Sequence, residues 1–347
     1  MVKKRLISVI YLLVFLGILG VGIGKMWGKG REAKASFFAM DTYISLTLYG
    51  KDGEKAVLEA QEKMTELEGL WSATHKESIV YALNHSGGAP VILDDETKEL
   101  LRFAVSMARE TEGALEPTIY PVLLSWGFTT GENRIPDREE IQDLLKYVGY
   151  DNIRIHGKEA LLPSGTQLDF GAVAKGYAGD MLVELLRERG ITSGLLDLGG
   201  NIQAIGSKPD GSSWRIGLRD PFGDGYLGVI EASDLAVVTS GNYERFFVGE
   251  DGNVYGHIID PVTGCPADSG LASVTVIAKE GKVCDALSTA LFVMGLEKAS
   301  DYWREHRDFD MILITEDGKI YLTEGAKSRF SLNNSYEEYK WELIGER

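Results

Sequence analysis

The chain has 347 residues, of which 44% are hydrophobic and 25% are charged, and its formal net charge is −16. This composition is that of an ordinary globular protein, with enough chain for one large domain or two small ones. The first 35 residues hold 7 of the 36 Lys and Arg residues but only 1 of the 52 Asp and Glu residues, so the remainder is more acidic than the chain as a whole. Because such a surface repels nucleic acid and anionic lipid, we predict no nucleic-acid partner.

The N-terminus carries an uncharged apolar run from Leu6 to Gly24, which follows three basic residues. A run of this length can cross a bilayer core of about 30 Å. A basic segment before an apolar run is also typical of a secretory signal. We interpret the segment as an uncleaved signal anchor, because the run is longer than most signals have; whether it is cleaved stays open. The predicted organisation is an anchor and linker over 1–35 and one folded domain over 36–347.

The two cysteines, Cys265 and Cys284, belong to no CxxC or Cys/His motif. Their spacing therefore argues against a zinc site. The simplest expectation is two free thiols, and the sequence leaves open whether they pair.

The first half of the folded part alternates between strand and helix patterns. Phe37–Tyr49 is rich in β-branched and aromatic residues, which predicts one strand. Apolar residues at a spacing of three and four predict helices after Asp52, after Asp94 and after Asp137. Residues 72–93 are predicted as a loop with a short strand at Val91–Leu93.

The second half is mostly strands. A helix is predicted over Val173–Arg189, and two more are predicted over Cys284–Met294 and Leu296–Glu305. The predicted strands are Gly194–Leu198, Trp214–Leu218, Leu235–Thr239, Val254–Ile259 and Ser273–Ala278. A terminal hairpin pairs Met311–Thr315 with Lys319–Leu322 through Asp317-Gly318.

This order of elements predicts an α+β fold with a mixed or largely antiparallel sheet and packed helices. No GxGxxG sequence opens a helix after a strand, which disfavours a Rossmann nucleotide site. No GxxxxGK[ST] sequence occurs either.

Four segments in the second half carry residues suited to holding a metal and a phosphate. They are Asp169–Gly176, Asp197–Asn201, His257–Gly264 and Asp285–Thr289. Each segment alone is weak evidence for such a site, whereas the order and spacing of the four segments together are specific evidence for it.

Asp285 and Thr289 lie at positions i and i+4 of a predicted helix and therefore share a face. A carboxylate and a hydroxyl are hard oxygen ligands, which suit Mg²⁺ better than softer metals. Taken alone, this pair is better explained by an Asp that caps the helix and a Thr that packs.

Asp169 and Lys175 bracket a predicted helix start at Gly171-Ala172. Backbone N–H groups there can bind a phosphate, and a backbone carbonyl can bind a metal. The alternative, again favoured for this segment alone, is an ordinary helix cap with a solvated lysine.

His257 is one of five histidines and lies at a predicted strand end after Gly256. An imidazole in such a place can act as a general base near neutral pH, or it can be structural and donate to a backbone carbonyl. The Gly199-Gly200 pair permits the positive φ angles of a phosphate-binding turn. Ser240 has no His/Asp signature around it, so a hydrolase triad is the weaker interpretation.

Together these residues resemble the ApbE family of FAD:protein FMN transferases, from about Phe38 to Leu322. The motifs that carry the resemblance are Met40–Tyr43, Gly113–Thr118 with Trp126–Phe128, Asp169–Tyr177, Asp197–Asn201, Ser240–Phe247, His257–Gly264 and Asp285–Thr289.

The resemblance implies Mg²⁺-dependent transfer of FMN from FAD to a threonine hydroxyl of an acceptor protein, with release of AMP. It implies that the Ala172 carbonyl, Asp285 and Thr289 hold Mg²⁺, and that His257 and Asp285 are the catalytic residues. The implied FAD-binding residues are Met40, Ala114, Leu115, Glu116, Asp169, Lys175, His257 and Ile259. It further implies that the enzyme acts outside the cytoplasmic membrane of a bacterium, where it modifies an electron-transfer protein.

Three positions depart from the usual pattern of that family. Thr74 and His75 stand where an aromatic residue and an arginine are common, and Glu116 stands where Asp is usual. Two alternative functions remain: an FAD pyrophosphatase that gives FMN and AMP, and a flavin-binding module without turnover.

Overall fold

A computed structural model describes residues 31–336 and 339–345. The predicted anchor at Leu6–Gly24 lies outside the described residues. Within the described ranges, no helix is both long enough and apolar enough to cross a membrane.

The described part of the chain contains seventeen strands and eight helices, each numbered in chain order. The strands are β1 Glu32–Ala39, β2 Thr42–Tyr49, β3 Val91–Ile92, β4 Arg154–His156, β5 Glu159–Leu161, β6 Ser193–Leu198, β7 Asn201–Ile205, β8 Trp214–Arg219, β9 Tyr226–Ala232, β10 Ala236–Gly241, β11 Phe246–Val248, β12 Val254–Gly256, β13 Leu271–Ala278, β14 Asp310–Thr315, β15 Ile320–Leu322, β16 Phe330–Leu332 and β17 Trp341–Leu343. The α-helices are α1 Gly53–Trp71, α2 Ile79–Asn84, α3 Asp95–Glu110, α4 Tyr120–Trp126, α5 Arg138–Leu145, α6 Ala174–Glu188, α7 Gly281–Glu305 and α8 Glu324–Arg329.

A nine-stranded sheet forms the centre of the fold, in the order β1-β2-β6-β7-β10-β13-β14-β15-β17. Adjacent strands of this sheet are antiparallel, except that β15 and β17 are parallel to each other. This mixed, largely antiparallel sheet with packed helices confirms the predicted α+β class.

The two faces of this sheet pack against different layers. Val238 of β10 belongs to the core that includes the buried residues of α6 and α7. Its neighbour Val237 belongs to a second core, shared with the small sheet β16-β9-β8. Because side chains alternate along a strand, β10 contributes to both cores. The fold is therefore layered, with helices on one face and a small sheet on the other.

The predicted single strand at Phe37–Tyr49 is wrong, since the segment folds as the β1–β2 hairpin. The turn consists of Met40 and Asp41, with φ angles of 50° and 55°. A two-residue turn of this kind needs positive φ at both positions and usually contains Asn-Gly. Met-Asp gives no such signal. The Glu68 side chain stabilises the turn by accepting a hydrogen bond from the Met40 backbone N–H at 2.9 Å.

Other short elements also differ from the prediction. Residues 72–93 contain the helix α2 in addition to the predicted short strand. The helix α4 and the strands β7 and β9 were not predicted, and the strand predicted over Val254–Ile259 ends at Gly256. These elements are short and lack a clear apolar period, so packing rather than local pattern determines them.

The longer elements agree with the sequence. In α7, Gly295 has φ 76° and ψ 174°, which breaks the helix into the two predicted segments. The terminal hairpin forms between β14 and β15. Cys265 and Cys284 are free thiols, as expected.

Candidate active site

One cavity of about 1100 Å³ contains every residue that the sequence assigned to the site. These residues are Met40, Ala114, Leu115, Glu116, Asp169, Ala172, Lys175, His257, Ile259, Asp285 and Thr289. They come from the β1–β2 turn, the loop before α4, the start of α6, the segment after β12 and the first turns of α7. The fold thus brings these five separate parts of the chain to one cavity.

The Asp285 carboxylate is buried at the contact between α6 and α7. It accepts a hydrogen bond from the Gly176 backbone N–H at 2.8 Å. Burial raises the pKa of this carboxyl, while the positive charge of Lys175 acts in the opposite direction. Asp285 is therefore not the N-cap of its helix, which begins at Gly281. The capping explanation considered for the Asp285/Thr289 pair is wrong.

Asp180 of α6 caps α7 instead. Its two carboxylate oxygens accept hydrogen bonds from the backbone N–H groups of Gly281 and Lys282, at 2.6 and 3.0 Å. These N–H groups have no partner within the helix, so a carboxylate here stabilises the helix end. Burial raises the pKa of Asp180 to about 6. The cap fixes where α7 starts and thereby where Asp285 and Thr289 lie.

Gly176 allows the two helices to approach closely. A Cβ atom at this position would lie 2.3 Å from the Gly281 carbonyl oxygen and 2.6 Å from the Asp285 Cβ. Both distances are shorter than real carbon contacts, and one of the neighbours is backbone. Any larger residue at 176 would push Asp285 away from the site.

Several hydroxyls surround Thr289. The Ser240 Oγ lies 2.8 Å from the Ser288 Oγ and 3.4 Å from the Thr289 Oγ1. Ser288 also donates to the Asp285 carbonyl at 3.0 Å. Ser240 is therefore a neighbour of the predicted metal ligands rather than an isolated nucleophile.

The residues at this end of the cavity fit a small hard cation. Asp285 and Thr289 supply a carboxylate and a hydroxyl, and the buried Asn201 side chain beside them hydrogen-bonds to the Asp285 carboxyl. Carboxylate, hydroxyl and amide oxygens are hard ligands of the kind that Mg²⁺ prefers. In the described ranges, no three His, Cys, Asp or Glu residues cluster to form an all-protein cage. Mg²⁺ tolerates such a sparse set, because it keeps waters and substrate phosphates as ligands.

His257 faces the cavity in one defined tautomer. Its Nδ1 lies 3.1 Å from the Arg245 carbonyl oxygen, and its backbone N–H donates to the same oxygen at 3.1 Å. Because a carbonyl only accepts, Nδ1 carries the proton and Nε2 keeps a free lone pair. Burial lowers the pKa of His257 to about 4. The ring is therefore neutral at pH 7 and able to accept a proton at Nε2.

Asp169 lies at the turn that leads into α6. It accepts a hydrogen bond from the Gly171 backbone N–H at 2.7 Å. Burial raises its pKa, and the nearby Lys175 and Arg245 act against that rise. Ala172 follows within the same turn and lines the cavity, as predicted for a carbonyl ligand.

Glu116 lines the cavity, but its carboxylate forms hydrogen bonds within the protein. It accepts hydrogen bonds from the Thr118 backbone N–H at 2.9 Å and hydroxyl at 2.6 Å, and from the Tyr150 backbone N–H at 2.9 Å. Burial raises its pKa. Glu116 therefore orders the loop before α4. The longer side chain, where Asp is usual in similar sequences, is compatible with this role.

Three cavity residues were not singled out from the sequence. Glu68 holds the Met40 turn, and Arg245 donates to the Asp41 carbonyl at 3.3 Å while its own carbonyl holds His257. Asn201 was recognised only as part of a turn. Glu68 sits in an unremarkable helix, so no sequence signal marks it. Thr74 and His75, which depart from the family pattern, line the same cavity.

Comparison with known proteins identifies the family. A family model described as "ApbE family" matches residues 40–313. The chain belongs to the ApbE family. It is 34% identical over 333 residues to a protein of Treponema pallidum named FAD:protein FMN transferase, with 89% of this chain and 92% of that one covered. A Klebsiella pneumoniae protein of the same name is 32% identical over 305 residues, covering 86% and 94% of the two chains.

The fold of this ApbE-family chain also matches a solved member. The crystal structure of the ApbE protein of Thermotoga maritima has a TM-score of 0.79 and 31% identity, and covers 90% of this chain and 100% of that chain. The likeness therefore extends over the central sheet, the helices and the cavity.

Proposed function

We propose that this chain transfers FMN from FAD to a threonine hydroxyl of an acceptor protein, in a reaction that uses Mg²⁺. The observation that carries the proposal is that a single cavity gathers a neutral imidazole, a half-buried lysine and the Asp285/Thr289 pair. The relatives named FAD:protein FMN transferase support the same reaction.

The reaction breaks the phosphoanhydride bond of FAD and forms a phosphoester bond to the threonine. The threonine oxygen forms a bond to the phosphorus on the FMN side of the FAD pyrophosphate. The bond from that phosphorus to the bridging oxygen breaks, and AMP leaves with that oxygen. The hydroxyl proton must be removed as the new bond forms. Such transfers depend on positioning and charge neutralisation more than on an enzyme nucleophile.

His257 is the proposed base for the threonine hydroxyl. Its Nε2 is unprotonated because Nδ1 donates to the Arg245 carbonyl, and its lowered pKa keeps it neutral. The same hydrogen bond fixes the plane of the ring. Lys175 supplies positive charge in the cavity where the phosphates would gain negative charge. Asp285 is the alternative acceptor of the proton.

Asp285 and Thr289, together with the Ala172 carbonyl, are the proposed protein ligands of Mg²⁺. A bound Mg²⁺ would neutralise the charge of the pyrophosphate and of the departing AMP. Asn201, which lines the same cavity and hydrogen-bonds to Asp285, would orient that carboxylate.

The remaining cavity residues form the proposed FAD site. Met40, Ala114, Leu115 and Ile259 give it an apolar wall, and Asp169 and Glu116 order the loops that complete it. The folded domain over 36–347, tethered by the anchor predicted at Leu6–Gly24, would act on an electron-transfer protein outside the cytoplasmic membrane. The basic segment before that run supports the tether.

In-gel flavin fluorescence tests the proposal. The full-length chain is mixed with FAD, Mg²⁺ and candidate acceptor proteins from the same organism, and the mixture is then denatured and separated. We expect fluorescence on one acceptor band, lost with EDTA. FMN and AMP accumulating without a fluorescent band would indicate a pyrophosphatase. Intact FAD with no band would contradict turnover and leave a flavin-binding module.

A further inference from the structure

A second cavity, of about 550 Å³, lies between the central sheet and the small sheet. One wall is the whole run Arg215–Arg219 of β8, and the opposite wall includes Ile202 and Val237 of the central sheet. We call this cavity the β8 groove. None of the predicted site residues lines it.

The β8 groove opens into the FAD cavity. Gly199, Gly200, Thr239 and Glu244 line both cavities. The β7–β10 pairing covers only Asn201–Gln203 of β7, so the sheet is incomplete beside Thr239. A chain segment lying in the groove can therefore reach the site where the threonine must react.

The groove offers the edge of a strand. Within residues 31–336 and 339–345, β8 pairs with β9 on one side and with no strand on the other. An edge strand presents backbone N–H and C=O groups that an extended peptide can pair with. Five residues of strand extend over roughly 17 Å at about 3.4 Å per residue, which is enough to bind a short peptide segment.

The exposed side chains of β8 are basic. Arg215 and Arg219 occupy exposed positions, with Gly217 between them. The Arg219 guanidinium lies 5.1 Å from the centre of the Tyr243 ring, which holds it against the groove wall. In a chain with a net charge of −16, these two arginines place cationic groups along the groove, with Glu231 of β9 opposite Arg215. Asp197 and Glu244 line the groove as well, so the arginines favour acidic groups near β8 rather than throughout the groove.

We propose that the β8 groove is the docking site of the acceptor protein. The segment that carries the reactive threonine would lie extended along β8, paired with its backbone, and would carry an acidic residue that contacts Arg215 or Arg219. This inference rests on the proposed function, since it names where the partner of that reaction binds. Gly217 lies between the two arginines, and the Tyr226 ring packs over it, since a Cβ atom at position 217 would lie 2.5 Å from that ring.

Charge reversal tests the docking site. The variants are Arg215→Glu and Arg219→Glu in the full-length chain, with Arg138→Glu as the matched control, because Arg138 is exposed and lines neither cavity. The probe is the protein that becomes fluorescent with the wild-type enzyme. We expect KM for that protein to rise at least tenfold in both groove variants and to stay within twofold in the control. The FAD dissociation constant, measured without acceptor, should not change in any of them.

Backbone pairing is tested separately by amide hydrogen exchange. The same acceptor with its reactive threonine changed to alanine should slow exchange in Arg215–Arg219 of the wild-type chain. Unchanged KM in both groove variants, or unchanged exchange along β8, would overturn the proposal. Protection, without acceptor, of those β8 amides that do not pair with β9 would also overturn it, since another segment or a second copy would then occupy the groove. If the wild-type enzyme binds FAD but labels no protein, the proposed function itself fails.

Discussion

The Asp285 carboxylate and the Gly176 backbone N–H are joined by a hydrogen bond of 2.8 Å across the contact of α6 and α7. The two residues are more than a hundred positions apart, and the missing side chain at 176 makes the contact possible. The geometry of the proposed metal site therefore depends on how closely these helices pack.

Gly176→Ala is expected to reduce Mg²⁺-dependent transfer at least tenfold and to lower the melting temperature. The added Cβ would lie 2.3 Å from the Gly281 carbonyl oxygen, so α7 must move. Gly69→Ala is the matched control, because Gly69 lies in α1 at the wall of the same cavity but outside the contact of α6 and α7, and a Cβ there meets no atom within 4 Å. That change should stabilise the fold by up to about 1 kcal/mol, since Ala favours helix over Gly. Equal transfer rates in the two variants would contradict the role of Gly176.

Thr289→Val is expected to weaken Mg²⁺ binding at least tenfold, whereas Thr289→Ser should bind nearly as well as the wild type. Valine has the shape of threonine but lacks the hydroxyl, and serine keeps it. Calorimetric titration of the FAD-bound chain with Mg²⁺ measures the difference. Asp285→Ala should abolish the titration altogether while the circular dichroism spectrum stays folded. If Val and Ser behaved alike, the hydroxyl would not be a ligand.

Asp180→Ala is expected to destabilise the protein by about 1–2 kcal/mol and to weaken Mg²⁺ binding, because it removes the cap of α7. Asp94→Ala provides the control. Asp94 caps α3 through the Thr97 backbone N–H at 2.8 Å and lines no part of the cavity. The Asp94→Ala substitution should lower the stability by a similar amount and leave Mg²⁺ binding unchanged. Chemical denaturation and calorimetry together separate the two effects.

The raised pKa of Asp180 also predicts the direction in which the stability of the fold changes with pH. In the folded protein its carboxyl titrates at about 6, above its ordinary value of 3.8. Between these values the folded state binds more protons than the unfolded state, so this group makes the protein less stable as pH rises through that window. Asp180→Asn does not titrate. The stability difference between this variant and the wild type should therefore shift in favour of the variant between pH 4 and pH 6.

His257 should not limit transfer in the pH range where histidine ordinarily titrates. Its folded pKa is about 4, below the usual 6.5, so the ring stays neutral and basic down to well below pH 6. Single-turnover rates between pH 7.5 and 5.5 should show no loss with an apparent pKa near 6.5. The rate should fall at least a hundredfold in His257→Gln, with FAD still bound. A wild-type acid limb centred at 6.5 would contradict the burial of the ring.

The lowered pKa of His257 changes the pH dependence of stability in the direction opposite to that of Asp180. Between pH 6.5 and 4 the unfolded chain binds a proton at His257 that the folded chain does not, so acidification through this window destabilises the fold. His257→Gln lacks this contribution. Its melting temperature should fall less than that of the wild type between pH 7 and pH 5.

The sequence identified the residues that line the cavity more completely than it identified the strands and helices. Each chemical segment combines glycine with polar residues in a short run, and such runs are visible without tertiary information. Glu68 and Asp180 were not predicted, because each lies in a regular helix and acts on a backbone N–H far along the chain. The Met40-Asp41 turn was missed for a related reason. Its positive φ angles are held by the Glu68 contact rather than by residues that favour them.

The break at Gly295 divides α7 into a segment that bears Asp285 and Thr289 and a segment that buries Ala299 and Trp303. A continuous helix transmits rotation along its axis, whereas a residue with φ 76° and ψ 174° interrupts the backbone hydrogen-bond ladder. The two segments can therefore point in different directions against the same core, to which Leu287 before the break and Ala299 and Trp303 after it belong. The orientation of Asp285 and Thr289 is then set by the packing of the first segment and not by the direction of Leu296–Glu305.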